Sequence, residues 1–237
     1  MKNRKIAGIL WDYDGTLVNS ALKNIDITKQ IILEVCPRLS GENLPIYLSS
    51  EKDYHFANHK ANNWQDLYLN YYKMTYDEMI SAGKLWTKYQ LKNNTPVYPF
   101  SQIIETVREI DLPQGICSQN SSKNILETLE TNDLSNKFDA IIGYDDIPND
   151  KQKPSSFGGV KCLNQIFDTI ENKIIIYVGD HEGDVEFARN IGKELGRTII
   201  LSVGVKYSGA DIDSWNFKPD YEIEKPNDLI DIIKNYS

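Results

Sequence analysis

The sequence predicts an α/β fold with a mostly parallel sheet, interrupted by an inserted helical segment, and three observations carry that reading. The second half of the chain repeats a unit of apolar strand, polar turn and amphipathic helix. One of those strands, 174–178, is a continuous β-branched and aromatic run, as expected where both faces of a sheet are covered. Residues from about 20 to 95 lack such runs and are instead rich in aromatics at largely helical spacing.

Taken in order, the first strand is Ile6 to Trp11, an apolar run that stops at Asp12 and Asp14 and a glycine turn at Gly15. The inserted helical subdomain follows, with Trp64, Tyr68, Tyr71, Tyr72, Tyr76, Trp86 and Tyr89 expected mainly as bundle core. Prolines in the stretch 95–99 end its last helix and stiffen the return. The expected division is therefore a core of 1–19 and 96–237 and a helical cap of 20–95. Phe100, Ile103, Ile104, Val107 and Ile110 fall at helical spacing, and 114–118 reads as a short strand ending at Ser118. A helix carrying Ile125, Leu126 and Leu129 precedes a strand at 138–143. Val160, Leu163, Ile166, Phe167 and Ile170 mark the next helix. The strand at 174–178 stops at Gly179 and Asp180, 198–203 repeats the pattern, and 227–234 closes the chain as a helix.

At 237 residues and 41% hydrophobic content, the chain can bury a sizeable core as one large domain or one domain with an insertion. A formal charge of −8 and a pI near 5.0 argue against a nucleic-acid surface. A small phosphorylated ligand remains compatible, since screening confines the overall field to about 8–10 Å and local cations can hold it. The apolar run at 6–11 is too short to span a bilayer and runs straight into aspartates, so no membrane anchor or signal peptide is expected and a cytoplasmic location follows. Cys36, Cys117 and Cys162 are odd in number and widely spaced, which reads as reduced, buried thiols. Oligomeric state has no signature in the sequence.

Side chains alternate along a strand, so Asp12 and Asp14 project to one side at its carboxyl end, where α/β sheets bind ligands. Two like charges there need a cation or a shared proton to offset their repulsion, although a lone aspartate pair also serves as a turn or helix cap. Three more polar clusters fall at strand ends or adjacent loops: Ser118-Gln119-Asn120-Ser121, Lys153-Pro154, and the block from Gly179 to Asp184. Asp180 and Asp184, four apart at a strand-to-helix transition, are placed to aim both carboxylates back at the first pair. Oxygen donors without histidine or cysteine call for a hard cation, most simply Mg²⁺. Lys153 supplies positive charge for a phosphoryl group, its alternative being a solvated surface lysine beside Lys151. Ser118 with neighbouring backbone N–H groups suits phosphate oxygens; as a helix cap it is less well placed than Ser121 or Ser122. His55 and His59 have no carboxylate pattern beside them and read as packed or solvated, and His181 is placed to line the mouth of the site or to fill a permissive position.

In these blocks the chain resembles the haloacid dehalogenase superfamily, in its phosphoglycolate-phosphatase-like branch with a helical C1-type cap between the first two motifs. The matching residues are DYDGT at 12–16, the strand-terminal Ser118, Lys153 of the KP pair, and the GDxxxD block from Gly179 to Asp184. The resemblance implies a Rossmann-like three-layer core and a Mg²⁺-dependent phosphatase acting on a small phosphorylated metabolite. It implies Asp12 as nucleophile, Asp14 as general acid and then base, and Ser118, Gln119 and Lys153 as phosphate contacts. It also implies a metal site of Asp12, Asp14 (through its backbone carbonyl) and Asp180, with Asp184 in the set or orienting Lys153 or metal-bound water. Dehalogenases of the superfamily lack the second aspartate, so Asp14 points to phosphate chemistry. Asn19 stands where Asp is common, Gln119 where Asn is more usual, and the KP pair lacks a second proline. A phosphomutase or phosphonate hydrolase on the same site, or a non-catalytic regulatory protein keeping the fold, are the alternatives.

Overall fold

The computed structural model describes residues 5–61 and 63–236. They form two compact units, one holding the chain up to Val18 and from Pro99 onward, the other Asn19–Tyr98. The first unit opens with β1 (Ile6–Trp11), whose Ile9, Leu10 and Trp11 are fully buried. The chain leaves β1 through a tight turn in which the Tyr13 carbonyl accepts from the N–H groups of Thr16, Leu17 and Val18.

The second unit is built on α1 (Ala21–Val35), α2 (Glu51–Lys60) and α3 (Tyr76–Lys92). Ala21, Ile25, Thr28 and Ile32 recur at three- and four-residue steps on α1 and are buried, the stripe an amphipathic helix needs. Ala21, Ile25 and Ile32 join Leu48, Tyr54, Tyr68, Tyr72 and Met79 in one apolar core. Tyr68 and Tyr72 are therefore bundle core as expected, whereas Tyr76 is 65% exposed. Between α2 and α3 the segment Leu67–Tyr71 winds as a π-helical turn, which periodicity did not signal. A capping box at Thr75 and Glu78 starts α3, and Arg38 bonds the same Glu78 carboxylate at 2.6 Å.

Back in the first unit come α4 (Ile103–Glu109), β2 (Gln114–Cys117), α5 (Ser122–Thr131), β3 (Ala140–Ile142) and α6 (Phe157–Ile166). They are followed by β4 (Ile174–Gly179), α7 (Glu182–Leu195), β5 (Ile199–Val205), β6 (Tyr221–Ile223) and α8 (Asp228–Asn235). Two helices are shorter than their apolar spacing suggests. Gln102 takes a left-handed conformation (φ 69°) that starts α4 afresh, leaving Phe100 outside it with its ring edge-on to Tyr207 at 5.2 Å. Phe167 is extended and ends α6; its ring lies against Gly8 of β1, where an added Cβ would come within 2.7 Å.

The six strands are ordered β3-β2-β1-β4-β5-β6, and their pairings are parallel. One face packs Leu10, Cys117, Ile175 and Tyr177 against Cys162 and Leu163 of α6 and Phe187, Ala188 and Ile191 of α7. The opposite face buries Ile9, Trp11, Ile176 and Val178. There Gln114 accepts from the Trp11 indole at 3.0 Å and donates to the Val107 carbonyl of α4 at 3.0 Å, so both ends of a buried amide are paired. The chain runs outward from β1 through β2 to β3, then crosses back to β4 on the other side of β1. That reversal is the switch point at which open α/β sheets place ligands. Trp11 stands in register with Ile116 and Val178, so the residues that follow the three central strands emerge side by side. Among the described residues no helix is long and apolar enough to cross a membrane.

Candidate active site

Asp12 continues the ladder by donating its N–H to the Val178 carbonyl at 2.8 Å, and the residue is buried, at 8% exposure. Lys153 arrives from the loop before α6, 141 residues away, and its ammonium meets Asp12 Oδ1 at 2.6 Å. The same ammonium donates to Asp184 Oδ1 at 2.9 Å and to the Tyr177 hydroxyl. It also lies 5.1 and 5.2 Å from the ring centroids of Tyr177 and Phe187, within cation–π range.

Asp184 sits in the first turn of α7, where the helix dipole favours a carboxylate. Its Oδ2 accepts the His181 N–H at 3.2 Å, and its Oδ1 accepts the Tyr177 hydroxyl at 3.1 Å besides Lys153. His181 is thus the N-cap of α7, its ring nitrogen accepting from Gly183 N–H at 2.9 Å. The glycines of the motifs are spatial requirements. A Cβ at Gly15, whose φ is +76°, would stand 2.1 Å from Asp180 Oδ2, and one at Gly179 would stand 2.4 Å from Asp184 Oδ2.

Asp12, Asp180 and Asp184, all buried, bring carboxylate oxygens within 4.8 Å of one another. One ammonium faces them, and the imbalance shows in the titration of the groups. Burial pushes the Asp12 carboxyl well above its ordinary value; Lys153 opposes the rise while Asp184 and Asp180 add to it. Burial alone would lower the Lys153 ammonium, but Asp12 and Asp184 hold it above its ordinary value. Burial, followed by Asp184 and Asp12, keeps the Tyr177 phenol protonated. Cys117 is pushed up to about 12 by burial and stays a neutral thiol. Excess negative charge on oxygen donors alone, with no sulfur or imidazole among them, fits a hard divalent cation such as Mg²⁺.

Asp14 is half-buried, and its Oδ2 accepts from Asn120 Nδ2 at 2.9 Å. Ser118 is buried after β2; its Oγ accepts the Asn120 N–H at 3.1 Å and, among the described residues, donates to none, which leaves the hydroxyl proton for a ligand. Ser121, not Ser118, caps α5, accepting from Asn124 N–H. Gln119 is exposed. Of the residues singled out from sequence, Asp12, Lys153, Asp180 and Asp184 therefore meet at one point, while Asp14 joins Asn120 beside it. Sequence reading passed over Asn120, although it lies in the quoted polar cluster, and Tyr177, whose one signal is a hydroxyl inside an otherwise apolar strand. It also passed over Tyr207, which donates to the Thr16 carbonyl at 2.8 Å and braces the turn after β1. His55 and His59 stack at 5.7 Å in α2, with His59 buried.

The arrangement combines a buried carboxylate held by an ammonium, a second carboxyl with its own orienting amide, a buried hydroxyl and three clustered carboxylates whose oxygens suit a hard cation. A family model described as haloacid dehalogenase-like hydrolase matches residues 9–196. The chain is 24% identical over 235 residues to a pyrophosphatase PpaX of Listeria monocytogenes, covering 98% of each. Its fold resembles a provisionally named phosphoglycolate phosphatase of Lactobacillus plantarum (TM-score 0.75, 13% identity, 96% of this chain and 99% of that one). It also resembles a haloacid dehalogenase-like hydrolase of Streptococcus pneumoniae (TM-score 0.72, 19% identity, 98% and 99%).

Proposed function

This chain belongs to the haloacid dehalogenase-like hydrolase family, and from that premise we propose a cytoplasmic Mg²⁺-dependent phosphatase that cleaves a small phosphorylated metabolite through an aspartyl-phosphate. The observation that carries the reading is the meeting of Asp12 with Lys153 at 2.6 Å inside the three-carboxylate cluster. Asp12, the Asp14 backbone carbonyl and Asp180 would hold the cation, which supplies charge neutralisation for the transferring phosphoryl group.

An Asp12 carboxylate oxygen attacks phosphorus in line, and the bond from phosphorus to the leaving oxygen breaks. Asp14 gives that oxygen a proton, and Asn120, bonded to Asp14 Oδ2, fixes which carboxyl oxygen is turned to the substrate. The Asp14 carboxylate then takes a proton from water, whose oxygen attacks the aspartyl-phosphate and frees Asp12 and inorganic phosphate. Lys153 neutralises charge on Asp12 and on the equatorial phosphoryl oxygens, and the Ser118 hydroxyl donates to one of them. The loose transition state of phosphoryl transfer leaves positioning and charge as the main work of these side chains.

A phosphate-release screen tests the reading, run over sugar phosphates, nucleotides, phosphoglycolate and inorganic pyrophosphate, the last two because relatives are named for them. Release from at least one member, abolished by EDTA and restored by Mg²⁺, is expected. Isomerised product without free phosphate would instead indicate a mutase, and inactivity across the panel a non-catalytic protein.

A further inference from the structure

Lys153 has three ammonium protons, and three acceptors surround it: Asp12 Oδ1 at 2.6 Å, Asp184 Oδ1 at 2.9 Å and the Tyr177 hydroxyl. Two of the three are carboxylates, whose attraction draws the ammonium toward themselves without fixing its direction, because a lysine ammonium is a rotatable point charge on a flexible stem. The third acceptor is different. Tyr177 projects from β4, a strand buried along its whole length, and its ring meets Phe187 of α7 edge-on at 5.1 Å. Its hydroxyl passes its own proton to Asp184 Oδ1 at 3.1 Å, with the Cys117 carbonyl at 3.4 Å as the alternative acceptor. One rigid side chain therefore touches both Lys153 and the carboxylate that shares it.

We infer that Tyr177 is a positioning residue for the phosphoryl-transfer step: its hydroxyl, anchored in the sheet, holds the Lys153 ammonium in the direction from which it meets Asp12 Oδ1 and the incoming phosphoryl group. The inference rests on the phosphatase reading and deepens it. A lysine tethered only to carboxylates could follow either of them; a lysine also tethered to the sheet keeps its charge where the equatorial oxygens gather. Such a role is exercised in the transition state, when negative charge on those oxygens is best stabilised by fixed donors.

Tyr177→Phe removes the hydroxyl and retains the ring, its contact with Phe187 and the apolar packing of β4. Loss of an outer-shell partner of this kind costs about 10–100-fold in activity. With p-nitrophenyl phosphate and Mg²⁺, kcat is expected to fall by that factor while KM moves less than about threefold. Vanadate, which mimics the transferring phosphoryl group, is expected to lose affinity by a similar factor, while inorganic phosphate binds nearly as before. A purely structural role would lower the amount of active enzyme and so reduce kcat, yet leave the inhibition constant for vanadate unchanged, because that constant does not depend on how much protein is folded. Unchanged kcat, or a reduced kcat with parental vanadate affinity, overturns the assignment to Tyr177 alone. A parent protein that neither hydrolyses any phosphate ester nor binds vanadate overturns the phosphatase reading and this inference with it.

Discussion

Single atoms decide much of the behaviour of this site. Asn120 illustrates it: its amide donates to Asp14 Oδ2, its side-chain oxygen accepts the Ser121 N–H at 2.8 Å, and its own N–H reaches Ser118 Oγ. Both sides of the amide are used, so its orientation is fixed, and in the proposed mechanism it holds Asp14 as a proton donor. Asn120→Ala is expected to lower kcat about tenfold with little change in KM. The loss should be larger for an alkyl phosphate than for p-nitrophenyl phosphate, whose leaving group needs little protonation; equal losses on both would remove Asn120 from the proton-transfer account. The motif residues were legible in the sequence because four short blocks carry them. The partners were not, because Asn120 and Tyr177 earn their places through contacts with residues 106 and 24 positions away. Gln119 was singled out as a phosphate contact from its place beside Ser118, and its side chain is exposed.

Secondary structure was readable where burial is two-sided or periodic. The strands at 6–11, 114–117 and 174–179 and the closing helix follow from apolar runs and spacing. The three-residue β6 was missed because Tyr221, Glu222 and Ile223 carry no apolar run, and Gln102 and Phe167 cut two helices short through backbone conformations that hydrophobic spacing does not record. Helix starts can be tested directly. Thr75→Ala removes the cap of α3 and is expected to cost about 1 kcal/mol, or roughly 2–4 °C in melting temperature, at any pH where the protein is folded. Glu78→Gln keeps the capping box but loses the charge paired with Arg38, a solvent-screened surface pair. The hydrogen bond from Arg38 holds the Glu78 carboxyl below its ordinary value of 4.5, so the folded state prefers the ionised form. That stabilisation is present above pH 4.5 and fades as the pH falls through and below it. The melting difference between parent and Glu78→Gln should therefore shrink in acid while that of Thr75→Ala persists. A Glu78→Gln difference that grows in acid would contradict the assignment of charge to that pair.

Across the whole molecule, the parallel sheet makes a single point out of distant sequence. Residues 12, 118 and 180 follow three neighbouring strands, and Lys153 reaches the same point from the loop before α6. An excess of carboxylates at that point, within a chain of net charge −8, is what a phosphate monoester would avoid unless a divalent cation and Lys153 reverse the local field. We propose that this reversal lets residue 12 accept a phosphoryl group. It is tested most directly by mixing the enzyme with Mg²⁺ and a substrate from the phosphate-release screen, quenching in acid within one turnover, and mapping peptides by mass spectrometry. A phosphoryl group is expected on the carboxylate of Asp12, absent from Asp12→Asn, which should be folded and inactive. Turnover at the parental rate by Asp12→Asn, or a phosphoryl group found on another residue, would contradict it.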